Sequence, residues 1–201
     1  MESAAELEIL PVGPDHLNLL GQLFEVFRST RHCWCTAFCS TSWQFAAGWY
    51  GGGNRRRFES LAVTQDQPMG VVAVHAGQPV GWCACGPRIR YVAALSGRSR
   101  LIVDRPRDED EDTWLIPCTI VPPVARSAGH HMSAYAVLPM LRGAVELARD
   151  AGAAAIEAWP LAKGVRRPSD AHVGREGLFE RVGFRRVQQP THDRVIMRLE
   201  C

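Results

Sequence analysis

The sequence predicts a mixed α/β fold, in which helices flank a central β-sheet that contains one pair of parallel strands. The prediction rests on three consecutive stretches. Residues 114–121 form an apolar run typical of a buried strand, residues 134–150 have apolar side chains at helical spacing, and residues 154–159 form a second apolar run after Gly152. A strand–helix–strand unit of this kind connects two parallel strands of one sheet.

The flanking segments predict further strands and helices. Alternating apolar and polar residues indicate strands, whereas apolar residues three or four positions apart indicate helices. These patterns predict a strand over 6–11, a helix from Pro14, a helix over 55–64, a hairpin with strands over 70–75 and 79–85, a helix over 176–182, and an antiparallel pair over 184–188 and 194–199. Residues 105–112 are densely charged and predict a mobile loop. No internal repeat is visible, so we expect residues 1–201 to form one domain.

The composition is that of an ordinary soluble globular protein. The chain has 201 residues, of which 46% are hydrophobic and 22% charged, and its net charge is +2. So small a charge does not indicate a nucleic-acid partner, and the three arginines at 55–57 are typical of a solvated turn. No apolar run is long enough to span a membrane, and the N-terminal residues do not form a signal peptide. We therefore expect a cytoplasmic protein with no membrane partner.

Three of the seven cysteines, Cys33, Cys35 and Cys39, lie close together beside His32. Such a cluster raises the question of a zinc site. A structural zinc site normally adds a second Cys or His pair at a characteristic spacing, and the sequence has none here. We therefore expect no metal, and interpret the cysteines as reduced, half-buried thiols.

Three ordered blocks resemble the GNAT N-acetyltransferases. The first, at 80–88, reads Val-Gly-Trp-Cys-Ala-Cys-Gly-Pro-Arg; the second follows Val121 and reads Arg-Ser-Ala-Gly-His-His at 126–131; the third, at 177–184, reads Gly-Leu-Phe-Glu-Arg-Val-Gly-Phe. In that family these blocks correspond to a hairpin strand, to the loop between a central strand and a long helix, and to the last helix with its Gly-Phe turn. The resemblance covers roughly residues 77–198, and it specifies the predicted fold as GNAT-like.

The resemblance implies an acetyl-CoA-dependent N-acetyltransferase that acts on a primary amine of a small molecule or a protein. Acetyl-CoA would be the co-substrate, and a homodimer is left open. Pantetheine would pair with the backbone of Ile120 and Val121. The loop amides would hold the pyrophosphate, because free N–H groups at a helix N-terminus bind phosphate. These cofactor-binding residues are Arg126, Ser127, Ala128, Gly129, His130 and His131.

The sequence departs from the family pattern at three positions. Phe179 occupies the position of the tyrosine that protonates the leaving thiolate in much of the family, and a phenyl ring cannot donate a proton. His131 replaces a small residue of the loop. Pro139 interrupts the helical pattern, so the helix is expected to begin just before it and to follow a longer loop. Tyr135, His131 and Cys118 are alternative acids, and the sequence does not choose among them.

Glu157 is the candidate general base. It lies in an otherwise apolar strand, and alternation places it on the same face as Ala155 and Trp159. A buried carboxylate facing a cleft is suited to proton transfer. The alternative is a structural carboxylate that accepts hydrogen bonds from a neighbouring loop.

Two functions therefore stay open. The first is an active N-acetyltransferase, as the three ordered blocks imply. The second is a catalytically weak GNAT-fold module that binds acyl-CoA or a partner protein, which Phe179, His131 and the lengthened loop would favour.

Overall fold

The computed structural model describes residues 7–26, 28–91, 104–121, 132–166 and 172–201. Their strands are β1 (Leu7–Pro11), β2 (Gly70–His75), β3 (Gln78–Pro87), β4 (Thr113–Ile120), β5 (Ala155–Ala158), β6 (Arg185–Thr191) and β7 (Arg194–Glu200). All seven form one sheet in the order β1-β2-β3-β4-β5-β7-β6. Only β4 and β5 pair in parallel; the other neighbouring strands are antiparallel. The predicted mixed sheet with one parallel pair is thus confirmed.

The described helices lie between β1 and β2, between β4 and β5, and between β5 and β6. They are α1 (Leu17–Glu25), α2 (Arg28–Cys33), α3 (Ser42–Ala47), α4 (Gly53–Thr64), α5 (Met132–Asp150) and α6 (Glu176–Glu180), with short 3-10 turns at Pro14–His16 and Thr36–Phe38. Helix α5 is the connection between the two parallel strands, as predicted. It follows β4 in the chain and covers one face of the sheet.

The prediction that this helix begins just before Pro139 is wrong. Helix α5 begins at Met132, so Pro139 lies in its interior. A proline there removes one backbone hydrogen bond, which costs about 3 kcal/mol in an isolated helix. Burial compensates, because α5 packs against the sheet through Met140, Leu141 and Ala144, none of which is exposed. Tertiary packing thus overrides the local preference of the sequence.

Helices α1 and α4 pack against part of the opposite face, over β2 to β4. The centre of this layer is aromatic: Phe24, Trp34, Phe58 and Trp82 are all buried. Phe24 meets Trp34 edge to face with 5.2 Å between ring centroids, and Phe58 meets Trp82 in the same way at 5.9 Å. This half of the face is a conventional apolar core.

A charged segment, residues 104–112, covers the other half of that face, over β5 and β7. We expected this segment to be mobile, but Asp110 is only 7% exposed. It accepts hydrogen bonds from Arg88 Nε at 2.7 Å and from Arg105 Nη2 at 2.8 Å. The segment is therefore anchored to the sheet, because buried charges require partners.

Candidate functional site

The parallel strands β4 and β5 pair over four residues and then part. The pairing runs from Thr113 with Ala155 to Ile116 with Ala158, whereas β4 continues to Ile120. Beyond Ile116, the edge of β4 that faces β5 has no strand partner within the described residues. Its backbone groups are therefore open to another extended chain.

Pro117 explains why the two strands part at this point. In the register with β3, Leu115 is opposite Gly86 but Cys118 is opposite Ala84, so β4 contains an extra residue between them. Such a bulge bends its strand, and proline is found in sheets at bulges because it has no N–H to donate. The bulge therefore turns the end of β4 away from β5.

A loop packs against the opened end of β4. Thr119 donates its hydroxyl to the carbonyl of His172 at 3.2 Å. Gly174 follows with φ +74°, and a β-carbon there would lie 2.9 Å from the Phe179 ring and 3.8 Å from Thr119 Oγ1. The loop requires glycine at this position both for its backbone conformation and for the close approach.

The expected donor site is described only in part. Ile120 and Val121 are half-buried and lie at the opened end of β4, where pantetheine was expected. The rest of that site lies outside the described residues: Arg126, Ser127, Ala128, Gly129, His130 and His131.

Glu157 is buried on the face of the sheet that carries the charged segment, at 7% exposure. Its Oε2 accepts a hydrogen bond from Arg88 Nη1 at 3.0 Å, and its Oε1 accepts one from Arg198 Nη1 at 3.1 Å. Arg198 Nη1 also donates to Glu109 Oε2 at 2.7 Å. The carboxylate is thus held between two guanidinium groups.

A cavity of about 230 Å³ lies beside this carboxylate, and we call it the glutamate cavity. Its wall includes Glu157, Trp159, Arg105, Glu109 and Arg198. The Trp159 indole N–H is buried and has no hydrogen-bond partner among the described residues. A buried donor without a partner is costly, so this group would be satisfied by a polar atom of a bound molecule or by water.

Comparison with known proteins finds similarity to this chain among solved structures. No protein-family model and no curated protein matches the sequence. Among solved structures, the Ebony C-terminal condensation domain covers 98% of this chain and 100% of its own at 7% identity, with a TM-score of 0.59. A GNAT-family acetyltransferase from Listeria monocytogenes covers 98% and 96% at 14% identity, with a TM-score of 0.54. The PaiA N-acetyltransferase of Thermoplasma acidophilum covers 98% and 99% at 11% identity, with a TM-score of 0.52.

The chain has the GNAT fold. The match extends over nearly the whole length of each protein, and the parallel β4–β5 pair is part of it. The resemblance noted in the three sequence blocks is therefore confirmed at the level of fold.

Within this GNAT fold, Phe179 is a core residue. It is 1% exposed and meets Phe184 edge to face with 5.3 Å between centroids. Of the three alternative acids, only Cys118 has a described side chain. It is buried, with its sulfur 3.4 Å from that of Cys35. The Cys118 thiol is thus a buried group that faces Cys35.

The three clustered cysteines are free thiols that are half-buried or buried. Cys35 points to Cys118, whereas burial raises the pKa of the Cys33 and Cys39 thiols to about 12. Within the described residues, no group of three or more His, Cys, Asp or Glu side chains is placed to hold a metal ion. Nor is any described helix both long and apolar enough to cross a membrane.

The sequence analysis identified Glu157 but missed the arginines that hold it. Arg88 is fully buried and joins Glu157 to Asp110, and Arg198 approaches from β7. One signal was present, because Arg88 ends the Gly-Pro-Arg of the first block. Its partners are 22 and 69 residues away, and spacing in one sequence cannot pair charges over such separations.

Proposed function

We propose that the protein is an acetyl-CoA-dependent N-acetyltransferase that transfers an acetyl group to a primary amine of a small molecule or a protein. One observation carries the proposal: within a GNAT fold, the bulge at Pro117 leaves the edge of β4 open from that residue onward. An extended pantetheine arm, with its alternating amide donors and acceptors, is complementary to such an edge.

The donor would lie along Ile120 and Val121, with its pyrophosphate on the amides of residues 126–131. The PaiA N-acetyltransferase, which has the same fold, was solved in complex with coenzyme A. The Ebony condensation domain was solved with β-alanyl-dopamine, a conjugate of an amine. Both support a reaction in which a thioester donor meets an amine acceptor.

Glu157 is our proposal for the group that accepts the proton of the amine. A carboxylate has about four lone-pair positions, and the two arginines occupy two of them. The remaining positions leave Glu157 able to accept a hydrogen bond from an amine in the glutamate cavity. The alternative is that Glu157 serves only to hold Arg88 and Arg198 in place.

A catalytically weak acyl-CoA-binding or protein-interaction module is the second candidate. The burial of Phe179 in the core favours it, because the position has no hydroxyl and its ring is only 1% exposed. In the active enzyme, water or the acceptor itself would protonate the leaving thiolate.

An acetyl-CoA thiol-release assay against a panel of small amines and peptides tests the first function. A thermal-shift titration with CoA is run on the same protein. Thiol release that depends on one class of amine supports the enzyme. A thermal shift without turnover on any amine supports the binding module, and no shift together with no turnover removes both.

A further inference from the structure

A second cavity, of about 490 Å³, lies between the segment that follows β5 and helix α6. We call it the basic cavity. Lys163, Arg166, Arg175 and Arg181 line it, together with one carboxylate, Glu176. The net charge of the whole chain is only +2. The basic cavity therefore concentrates positive charge to a degree that the composition does not show.

Glu176 does not neutralise these cations, because other groups already satisfy it. Arg186 donates Nε to Oε1 at 2.7 Å and Nη2 to Oε2 at 2.6 Å. The backbone N–H of Lys163 donates to Oε2 at 2.9 Å. Lys163 in turn places its ammonium group 2.7 Å from Glu180. Glu176 and Lys163 thus each have an ion-pair partner of their own.

The three arginines of the basic cavity, by contrast, have no ion-pair partner among the described residues. Arg166, Arg175 and Arg181 are exposed, and none has a carboxylate partner among the described residues. The glutamate cavity differs, because its Arg105 and Arg198 are both ion-paired. A guanidinium is a planar fork of donors that matches the oxygens of a phosphate. Three unpaired forks around one cavity form a receptor for a multiply charged anion.

The basic cavity begins beside the opened end of β4. Gly174, which packs against Thr119, directly precedes Arg175. The N–H of Leu161 donates to the carbonyl of Gly174 at 3.1 Å, and the N–H of Glu176 donates to the carbonyl of Leu161 at 3.0 Å. These bonds join the two walls of the cavity. A ligand that leaves the opened end of β4 past Gly174 would therefore reach Arg175 and the basic cavity next.

We propose that Arg166, Arg175 and Arg181 bind the 3′-phosphate of coenzyme A. The inference rests on the proposed function, since it needs the thioester end of the donor on β4. If the loop over 126–131 holds the pyrophosphate, the 3′-phosphate is the anionic group of the donor that has no partner yet. As a phosphomonoester it carries a charge of roughly −1.5 to −2 at pH 7, so it attracts several guanidinium groups more strongly than a carboxylate does.

Calorimetric titration of CoA and of dephospho-CoA, which lacks only the 3′-phosphate, tests this proposal. The proteins are the wild type and the triple variant Arg166→Gln, Arg175→Gln, Arg181→Gln. We expect the wild type to prefer CoA by about tenfold or more, the usual worth of a charge-assisted contact. The triple variant should lose that preference and bind dephospho-CoA as the wild type does.

A matched control removes three exposed arginines elsewhere, Arg56→Gln, Arg149→Gln and Arg185→Gln, and should keep the preference for CoA. The proposal is overturned if the triple variant also keeps the preference, or if the wild type binds the two ligands equally. Equal binding would leave the proposed function intact, because the thioester arm would still bind. If the wild type binds neither ligand, the proposed function and this inference fall together.

Discussion

The glutamate cavity and the basic cavity each contain a buried glutamate held by arginine, but their surroundings are opposite in character. Around Glu157, both lining arginines are ion-paired, so the cavity is nearly neutral. Around Glu176, three arginines have no carboxylate partner among the described residues. A buried Glu–Arg pair is thus not in itself evidence of a catalytic or binding site. Our two proposals rest instead on the charge that surrounds each pair: an amine is proposed for the glutamate cavity and a phosphate for the basic cavity.

The largest expected effect is on stability, from Arg88→Ala. Arg88 is fully buried and donates to Asp110, Glu157 and the carbonyl of Pro106. Its removal leaves two carboxylates without their buried partner, a change that typically costs about 3–5 kcal/mol. Urea unfolding measures the loss. Arg175→Ala is the matched control and should leave the unfolding midpoint unchanged, because Arg175 has no ion-pair partner in the described part of the chain. Equal losses would contradict the distinction between the two cavities.

The next effect is on turnover, from Glu157→Gln compared with Glu176→Gln. If Glu157 is the base, its amide variant should lose activity on the order of 100-fold, because the shape is kept and the proton acceptor is removed. Glu176→Gln should instead lose stability by roughly 1.5–3 kcal/mol, through its charge-assisted hydrogen bonds, and keep its activity per folded molecule.

Turnover and melting temperature are measured on both glutamate variants. A stability loss with normal turnover in Glu157→Gln would assign Glu157 a purely structural role. In that case the two buried glutamates would be equivalent, and the glutamate cavity would lose its proposed base.

A smaller, severalfold effect on the affinity for CoA is expected when the salt concentration is raised. The arginines of the basic cavity are exposed, and raising the salt from about 0.05 to 0.5 M shortens the screening length to a few ångströms. CoA should then bind more weakly, whereas dephospho-CoA should be less affected. Isothermal titration across this range measures both. A salt dependence of equal size for the two ligands would show that the 3′-phosphate makes no contact of its own.

The smallest effect is on how the stability of the protein declines at acid pH. Burial pushes the pKa of Asp110 up, but hydrogen bonds from Arg105 and Arg88 and their charges outweigh it and hold the pKa below its usual range. A lowered pKa contributes stability above the unfolded value of about 3.9, and that stability is lost as the pH falls through the folded value. Asp110→Asn should therefore show a shallower decline in urea midpoint below about pH 4. An unchanged decline would mean that Asp110 does not titrate with folding.

The sequence predicted the order of the strands and helices well because hydrophobic periodicity records which face of each element is buried. The parallel pair and α5 were found in this way, although Pro139 gave the wrong helix start. Periodicity cannot show that a helix will continue through a proline, since the packing that offsets the lost hydrogen bond depends on the whole sheet.

The charged parts of the site were less predictable. Glu157 was found because a carboxylate in an apolar strand is conspicuous. Its partners Arg88 and Arg198 come from β3 and β7, and only the fold brings them together. The basic cavity was equally unpredictable: Arg166 and Arg175 are close in the sequence, but Arg181 joins them only because the fold places α6 at the same cavity.

Pro117 has a consequence for association as well as for ligand binding. An open strand edge is a template on which a second chain can add a strand, and this is a common route to aggregation. Proline offers no N–H at the start of the opened segment, and the bulge bends the edge out of line with a flat partner. Thr119 is already engaged by the carbonyl of His172. The same bulge that leaves the edge of β4 unpaired therefore makes it a poor template for a strand of another copy of the chain.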